Sequence, residues 1–252
     1  MSTTMDTMGI RERLIEESLQ VLEESGPEAL SARMLATRIG ASTMAVYTHF
    51  DGMPGLYEAL VRESYTRFGE HLSRRPDTED PVADLLASGL AYREYALTYP
   101  QRYRLMFGIT SPSITLPIGR DVTVDGHPAA LSEINSVYAQ IPAFVRRCMD
   151  VGAIDEGDPV AVAAQIWTMM HGYVLAEIIG VFGTDGGGVA RVLAPHITNL
   201  LVGLGGDRER IQESFQRMEA PPALPRPPAA APTTETSKSA RPGRRARPSH
   251  RA

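Results

Sequence analysis

Residues 30–50, LSARMLATRIGASTMAVYTHF, constrain this chain more than any other stretch, because they hold two short helical segments with almost no chain between them. Ser31 precedes the first segment, Ala32 to about Ile39, and its hydroxyl can accept from a free backbone N–H of the opening turn. Leu30 and Leu35 occupy the two positions of a hydrophobic staple. Gly40 stands where that helix must end, in the left-handed conformation that glycine adopts cheaply. Ser42 is placed to cap a second segment, 43–49. Two short helices on so tight a turn make a helix-turn-helix, whose second helix can lie in the major groove of DNA.

The flanking chain reads as helix almost throughout. In residues 9–25, Ile10, Leu14, Val21 and Leu22 share one face, Ile15 and Leu19 widen it, and Glu12, Glu16, Glu17, Glu23 and Glu24 lie outside it. Gly26-Pro27 stops that helix. Another begins near Met53-Pro54, with Leu56, Tyr57, Leu60 and Val61 as its apolar face. Further helices are expected over 81–97, 101–107, 128–151, 159–182 and 189–204, with 108–127 a long loop or small hairpin. From Ala220 the chain is rich in Pro, Ala and Arg without apolar periodicity, which predicts disorder. The fold class is all-α: an N-terminal three-helix helix-turn-helix domain (1–55), a C-terminal helical domain (56–210) and a tail (211–252).

Composition excludes several classes. At 252 residues, 43% hydrophobic and 22% charged, the chain has an ordinary globular make-up. Cys148 is the single cysteine, so no internal disulfide forms, and no Cys/His cluster points to a metal. The start, Met1 to Met8, lacks the basic and apolar regions of a signal peptide, which with the lone cysteine indicates the cytoplasm. Residues 159–176 carry no charge, but Gln165, Thr168 and His171 interrupt them and Glu177 ends them; a buried or subunit-interface helix fits better than a membrane span. The six histidines are scattered and no nucleophile-elbow, metalloprotease, P-loop or dinucleotide motif occurs, so neither enzyme activity nor a cofactor is expected. The net charge of −5 is unevenly spread: residues 221–252 hold seven basic side chains and one acid.

The 30–50 string resembles the signature of the TetR family of transcriptional regulators at Leu30, Ser31, Ala36, Gly40, Ala41, Ser42, Tyr47, His49 and Phe50. The resemblance implies a DNA-binding protein. Thr43, Met44 and Thr48 would then face base edges, and Arg33 would reach a guanine or a phosphate. Tyr47, His49 and the helix start at Ser42 would hold phosphates. Ala45, Val46 and Phe50 would face the core. The chain departs from the family at Gly52-Met53-Pro54, where relatives carry a phosphate-gripping lysine, and residues 1–55 hold four basic against eight acidic side chains. Fewer phosphate contacts and a shallower salt dependence follow, unless the basic tail compensates.

The same resemblance implies a homodimer on a palindromic operator, formed by the last two long helices, with Ile166, Met169, Met170, Tyr173 and Val174 near one long face. Trp167, His171 and Gly172 resemble the Trp…His-Gly element of one C-terminal subgroup, with Tyr99-Pro100 and residues 104–107 in keeping. A small-molecule effector would lie among Tyr103, Met106, Phe107, Phe144, Trp167, Met170 and His171, residues that equally suit a packed core. Ligand-responsive repression is the expected function; an activator, an architectural DNA-binding protein and an all-α enzyme are the alternatives.

Overall fold

The computed structural model describes residues 9–74, 77–109, 121–125, 132–183 and 186–218, and the regular elements among these are helical. In order they are α1 (Ile10–Ser25), α2 (Ala32–Ile39), α3 (Met44–Phe50), α4 (Met53–Leu72), α5 (Pro81–Thr98), α6 (Pro100–Met106), α7 (Val122–Asp125), α8 (Ser132–Tyr138), α9 (Gln140–Asp150), α10 (Pro159–Ile178), α11 (Ala194–Gly203) and α12 (Arg208–Arg217). A single π-helical turn, Val189–Leu193, leads into α11.

The local signals around α2 hold. Ser31 Oγ accepts from the Met34 amide at 3.3 Å, Leu30 and Leu35 are both buried, and Gly40 closes the helix at φ 68°, ψ 35°. Ser42 does not cap α3. The N-cap is Thr43, in helical conformation with no side-chain bond, and Ser42 contributes only its carbonyl, which accepts from the Ala45 amide at 3.0 Å. The chain already turns helically at Thr43, so the Ser42 hydroxyl is one residue too early to meet the free amides.

Three other sequence expectations change. The helix read over 128–151 is two, α8 and α9, among its described residues. Of the segment 108–127, residues 121–125 contain the short α7, and 110–120 and 126–127 lie outside the described residues. The tail placed at 211–252 starts too early, because α12 runs to Arg217; residues 219–252 lie outside the described residues. That helix escapes a periodicity search because RERIQESFQR is charged or polar at all but two positions and only Ile211 and Phe215 mark an inner face. Asp207 caps it by accepting from the Arg210 amide at 2.9 Å. Asp80, the N-cap of α5, docks it by accepting from Ser214 Oγ at 2.9 Å and pairing with Arg217 at 2.9 Å.

A boundary at residue 55 falls in the first turn of α4, which continues unbroken for 20 residues. Leu56 and Leu60 share one contiguous core with α1–α3, and Tyr65, Phe68 and Leu72 extend the same core to α5, α6, α8 and α10. A second core joins α5, α9, α10, α11 and α12 at the far end. No helix among the described residues is long and apolar enough to cross a membrane.

The glutamates of α1 are not simply solvated. Glu16 pairs with Arg67 of α4, and Glu17 and Glu24 with Arg38 of α2 at 3.0 and 3.4 Å. Glu23, its side chain 2% exposed, accepts from the Arg102 amide at 2.8 Å and the Gln101 amide at 3.3 Å. It therefore satisfies the open N-terminus of α6, where Pro100 already supplies a first-turn residue with no N–H. Burial raises its pKa, and the amides and the Arg102 guanidinium pull it back. Glu23→Ala is expected to strand two buried amides and lower stability by about 1–3 kcal/mol. A variant with an unchanged thermal midpoint would show that this cap holds nothing together.

Candidate functional site

The outer surface of the helix-turn-helix is built by contrast between neighbouring residues of one short helix. Val46 and Phe50 of α3 are buried and Ala45 is half-buried, whereas Ser42, Thr43, Met44, Tyr47, Thr48 and His49 are exposed. Met44 is 62% and Tyr47 56% exposed, so this short helix presents two large side chains together to solvent. Arg33 on α2 is exposed too. All seven residues singled out in the sequence thus lie at the surface, on α2, on α3 or just before it.

What holds α3 in place lies beneath and behind it. The Arg11 guanidinium sits 5.3 Å from the Phe50 ring centroid, and Arg13 donates to the Ile39 carbonyl at 2.6 Å. Asp51 (φ 56°) and Gly52 (φ 98°) reverse the chain. Gly55 then packs directly on the end of α3, since a Cβ there would stand 1.8 Å from the Phe50 carbonyl oxygen. Sequence reading passed over Gly55, although a glycine in the first turn of a helix marks a close backbone approach. Tyr57, read only as apolar, also donates to the Pro27 carbonyl at 2.9 Å.

Part of the negative charge of this domain is used within the fold, while Glu12, Glu28 and Asp51 stay exposed. Glu16, Glu17, Glu23 and Glu24 engage Arg67, Arg38 and the α6 N-terminus rather than the α3 surface. Arg33 is left as a cation with no ion-pair partner among the described residues.

The second feature is a cavity behind α4, lined mainly by apolar and aromatic side chains and open to solvent at its mouth. Phe107, Phe144, Trp167 and Met170 line it; Tyr103, Met106 and His171 do not. Tyr103 and Met106 are completely buried in the core instead. His171 stacks on Trp167, with ring centroids 5.5 Å apart and 17° between planes. Its Nδ1 lies 2.7 Å from the Tyr103 hydroxyl, which lies 2.8 Å from that of Tyr92. A neutral imidazole protonated on Nε2 satisfies this chain: Tyr92 donates to Tyr103, and Tyr103 donates to Nδ1. Sequence reading missed Tyr92 and Tyr138, which do line the cavity, because nothing in their spacing separates them from ordinary core residues. No group of three or more side chains able to hold a metal ion occurs among the described residues.

The side of α10 expected to face a partner is used within the chain. Ile166, Met170, Tyr173 and Val174 are buried in the protomer. The exposed stripe runs instead through Gln165, Thr168, Gly172 and Ile179. An 18-residue charge-free run is apolar nearly all round, so periodicity alone does not say which side turns inward.

Fold and site together define a helix-turn-helix DNA-binding protein with a second, all-helical domain behind the recognition helix. Residues 14–60 match the family model described as bacterial regulatory proteins, tetR family, and residues 85–200 match the tetracyclin repressor-like C-terminal domain. The chain belongs to the TetR family of transcriptional regulators. It is 27% identical over 178 residues to the uncharacterized HTH-type transcriptional regulator Rv0681 of Mycobacterium tuberculosis, covering 68% of this chain and 71% of that protein. It is 32% identical over 98 residues to the class C tetracycline repressor of Escherichia coli, covering 39% of this chain and 44% of the repressor. Among solved structures, a protein of unknown function from Rhodococcus sp. RHA1 superposes with a TM-score of 0.63 at 23% identity, over 81% of this chain and 99% of the other. BioQ bound to its double-stranded DNA operator superposes with a TM-score of 0.50 at 17% identity, over 77% of this chain and 96% of BioQ.

Burial lowers the pKa of His171 below its ordinary value. The unfolded chain then takes up this proton at higher pH than the folded one does. The histidine's contribution to stability is therefore present above about pH 6.5 and lost as pH falls through the lowered value. Melting wild type and His171→Asn across pH 7.5 to 5 should show the gap between them shrinking toward acid; a constant or widening gap would refute the neutral, core-bonded histidine.

Proposed function

We propose that the protein is a ligand-responsive repressor, acting in the cytoplasm as a homodimer on a palindromic operator. The observation that carries the DNA-reading role is the exposure of Met44 and Tyr47 beside Thr43 and Thr48, on a helix whose other side is locked by Val46 and Phe50. Threonines can bond several bases and meet a thymine methyl, and Met44 offers apolar contact. Tyr47, His49 and the chain at Ser42 position phosphates, and Arg33 reaches a phosphate or a guanine. With no lysine at Gly52-Met53-Pro54, phosphate contacts are few and the salt dependence is shallow.

Dimerisation is assigned to the uncharged stripe of α10 through Gln165, Thr168, Gly172 and Ile179, with the exposed Pro195, His196 and Asn199 of α11 beside it. A Cβ on Gly172 would meet nothing within 4 Å, so the glycine leaves room for a partner helix to approach closely. Two-fold pairing would present one recognition helix to each half-site. Trp167, His171 and Gly172 are read as the Trp…His-Gly element of one C-terminal subgroup. The effector would fill the cavity and favour a spacing of the two recognition helices that does not fit successive major grooves.

Footprinting on the intergenic DNA next to the gene tests the reading. Tyr47→Ala should weaken binding to all duplexes alike, whereas Thr48→Ala should lose discrimination at particular bases, about 1–3 kcal/mol for each lost contact. A purified protein that prefers no duplex at low ionic strength would end the proposal. Gly172→Arg should convert the dimer to a folded monomer in light scattering, with loss of operator affinity; a dimer that survives places the interface elsewhere.

A further inference from the structure

We infer that the cavity behind α4 takes an uncharged, largely apolar molecule that presents one hydrogen-bond acceptor to the hydroxyl of Tyr138. This deepens, and rests on, the reading of the C-terminal domain as a ligand sensor.

The charge argument comes first. Among the described residues, none of the side chains lining the cavity is ionisable to a carboxylate, an ammonium, a guanidinium or an imidazolium. A carboxylate or ammonium entering it would lose its water and find no counter-charge, a cost that excludes ionised ligands. Phe107, Phe144 and Trp167 at the walls, with Met169 and Met170 between them, instead suit flat or irregular apolar skeletons.

Ser88 and Gln140 are half-buried polar residues of the lining, and the tyrosine hydroxyls are the buried ones. Tyr65 donates to the Met106 carbonyl at 3.0 Å, and Tyr92 is committed to Tyr103. Tyr138 differs. It lines the cavity, is 3% exposed, and its buried hydroxyl has no hydrogen-bond partner among the described residues. Its ring stands edge-on to Trp167, with centroids 6.0 Å apart. Burial raises its pKa, so the hydroxyl keeps its proton and is available as a donor at neutral pH. A buried donor without an acceptor is unfavourable, and a ligand carbonyl, ether or hydroxyl oxygen relieves it.

Trp167 is the only tryptophan of the chain and lines the cavity, so energy transfer from it reports occupancy of this site. Three naphthalene probes separate the claims, each titrated into the full-length protein. N-phenylnaphthylamine is neutral. Anilinonaphthalene sulfonate is the same skeleton with a fixed negative charge. Prodan is neutral and carries one ketone, whose emission moves to the blue when a hydrogen bond to it is lost. Both neutral probes are expected to quench Trp167 and to bind at least tenfold more tightly than the sulfonate. Tyr138→Phe, which keeps the ring and its packing, is expected to weaken prodan about three- to tenfold and shift its emission to the blue, leaving N-phenylnaphthylamine unchanged. The inference is overturned if neither neutral probe draws energy from Trp167, or if the sulfonate binds as well as its parent. It is equally overturned if Tyr138→Phe affects both neutral probes alike or neither. Any of these results with operator binding intact removes the ligand class and leaves the DNA-reading role standing; loss of preference for every duplex removes the latter by itself.

Discussion

One rigid helix serving two cores is the constraint on which the rest of this structure depends. The upper turns of α4 close the DNA-facing domain with Leu56 and Leu60, and its lower turns wall the cavity with Tyr65, Phe68 and Leu72. Each fully buried leucine or phenylalanine contributes about 1.5–3 kcal/mol, so neither end of α4 can detach cheaply. Because the helix is continuous, a change in what packs against its lower half must be accommodated as a tilt or shift of the whole rod, and α3 rides on its upper end through the Gly55–Phe50 contact. Glu23 adds a second tie, from α1 to the N-terminus of α6, and Tyr103 of α6 belongs to the bonded chain beside the cavity. Cavity and recognition helix are therefore joined by two physical routes.

Charge follows the same logic of location over total. An acidic domain is a poor partner for phosphates only if its carboxylates face them. In α1, Glu16, Glu17, Glu23 and Glu24 meet arginines of α2 and α4 and the amides of α6, and Glu12 alone stays exposed. Exposed pairs of this kind are individually weak, but Glu23 is nearly fully buried, and what it satisfies has no other acceptor there. These contacts use the negative charge to join elements and leave the outer side of α3 to polar and apolar groups.

The parts of this design that could be read from residue order alone are those decided within a few positions of the chain. Ser31, Gly40 and the Leu30/Leu35 pair act on their own helix, and each stands as expected. The alternation of buried Val46 and Phe50 with exposed Thr43, Met44, Tyr47 and Thr48 follows from helical geometry once the helix is placed. Ser42 shows the limit of such reading: it has the right chemistry for a cap, yet the backbone enters the helix at Thr43 and leaves its hydroxyl unused. Arg102, Gln101 and Glu23 are separated by some 80 positions, and no local rule connects them.

Residue order by itself determined that this chain is helical, where α2 begins and ends, and which side chains of α3 stay outside, because caps, glycines and apolar periodicity act over one or two turns. Tertiary structure alone decided which side of the uncharged α10 turns inward, that the charged segment 208–217 is a docked helix, and that Tyr138 rather than Tyr103 stands at the cavity with a free hydroxyl. These are properties of how helices distant in the chain approach one another, and an apolar residue reads the same in a row whether it ends against a core, a partner or an empty space.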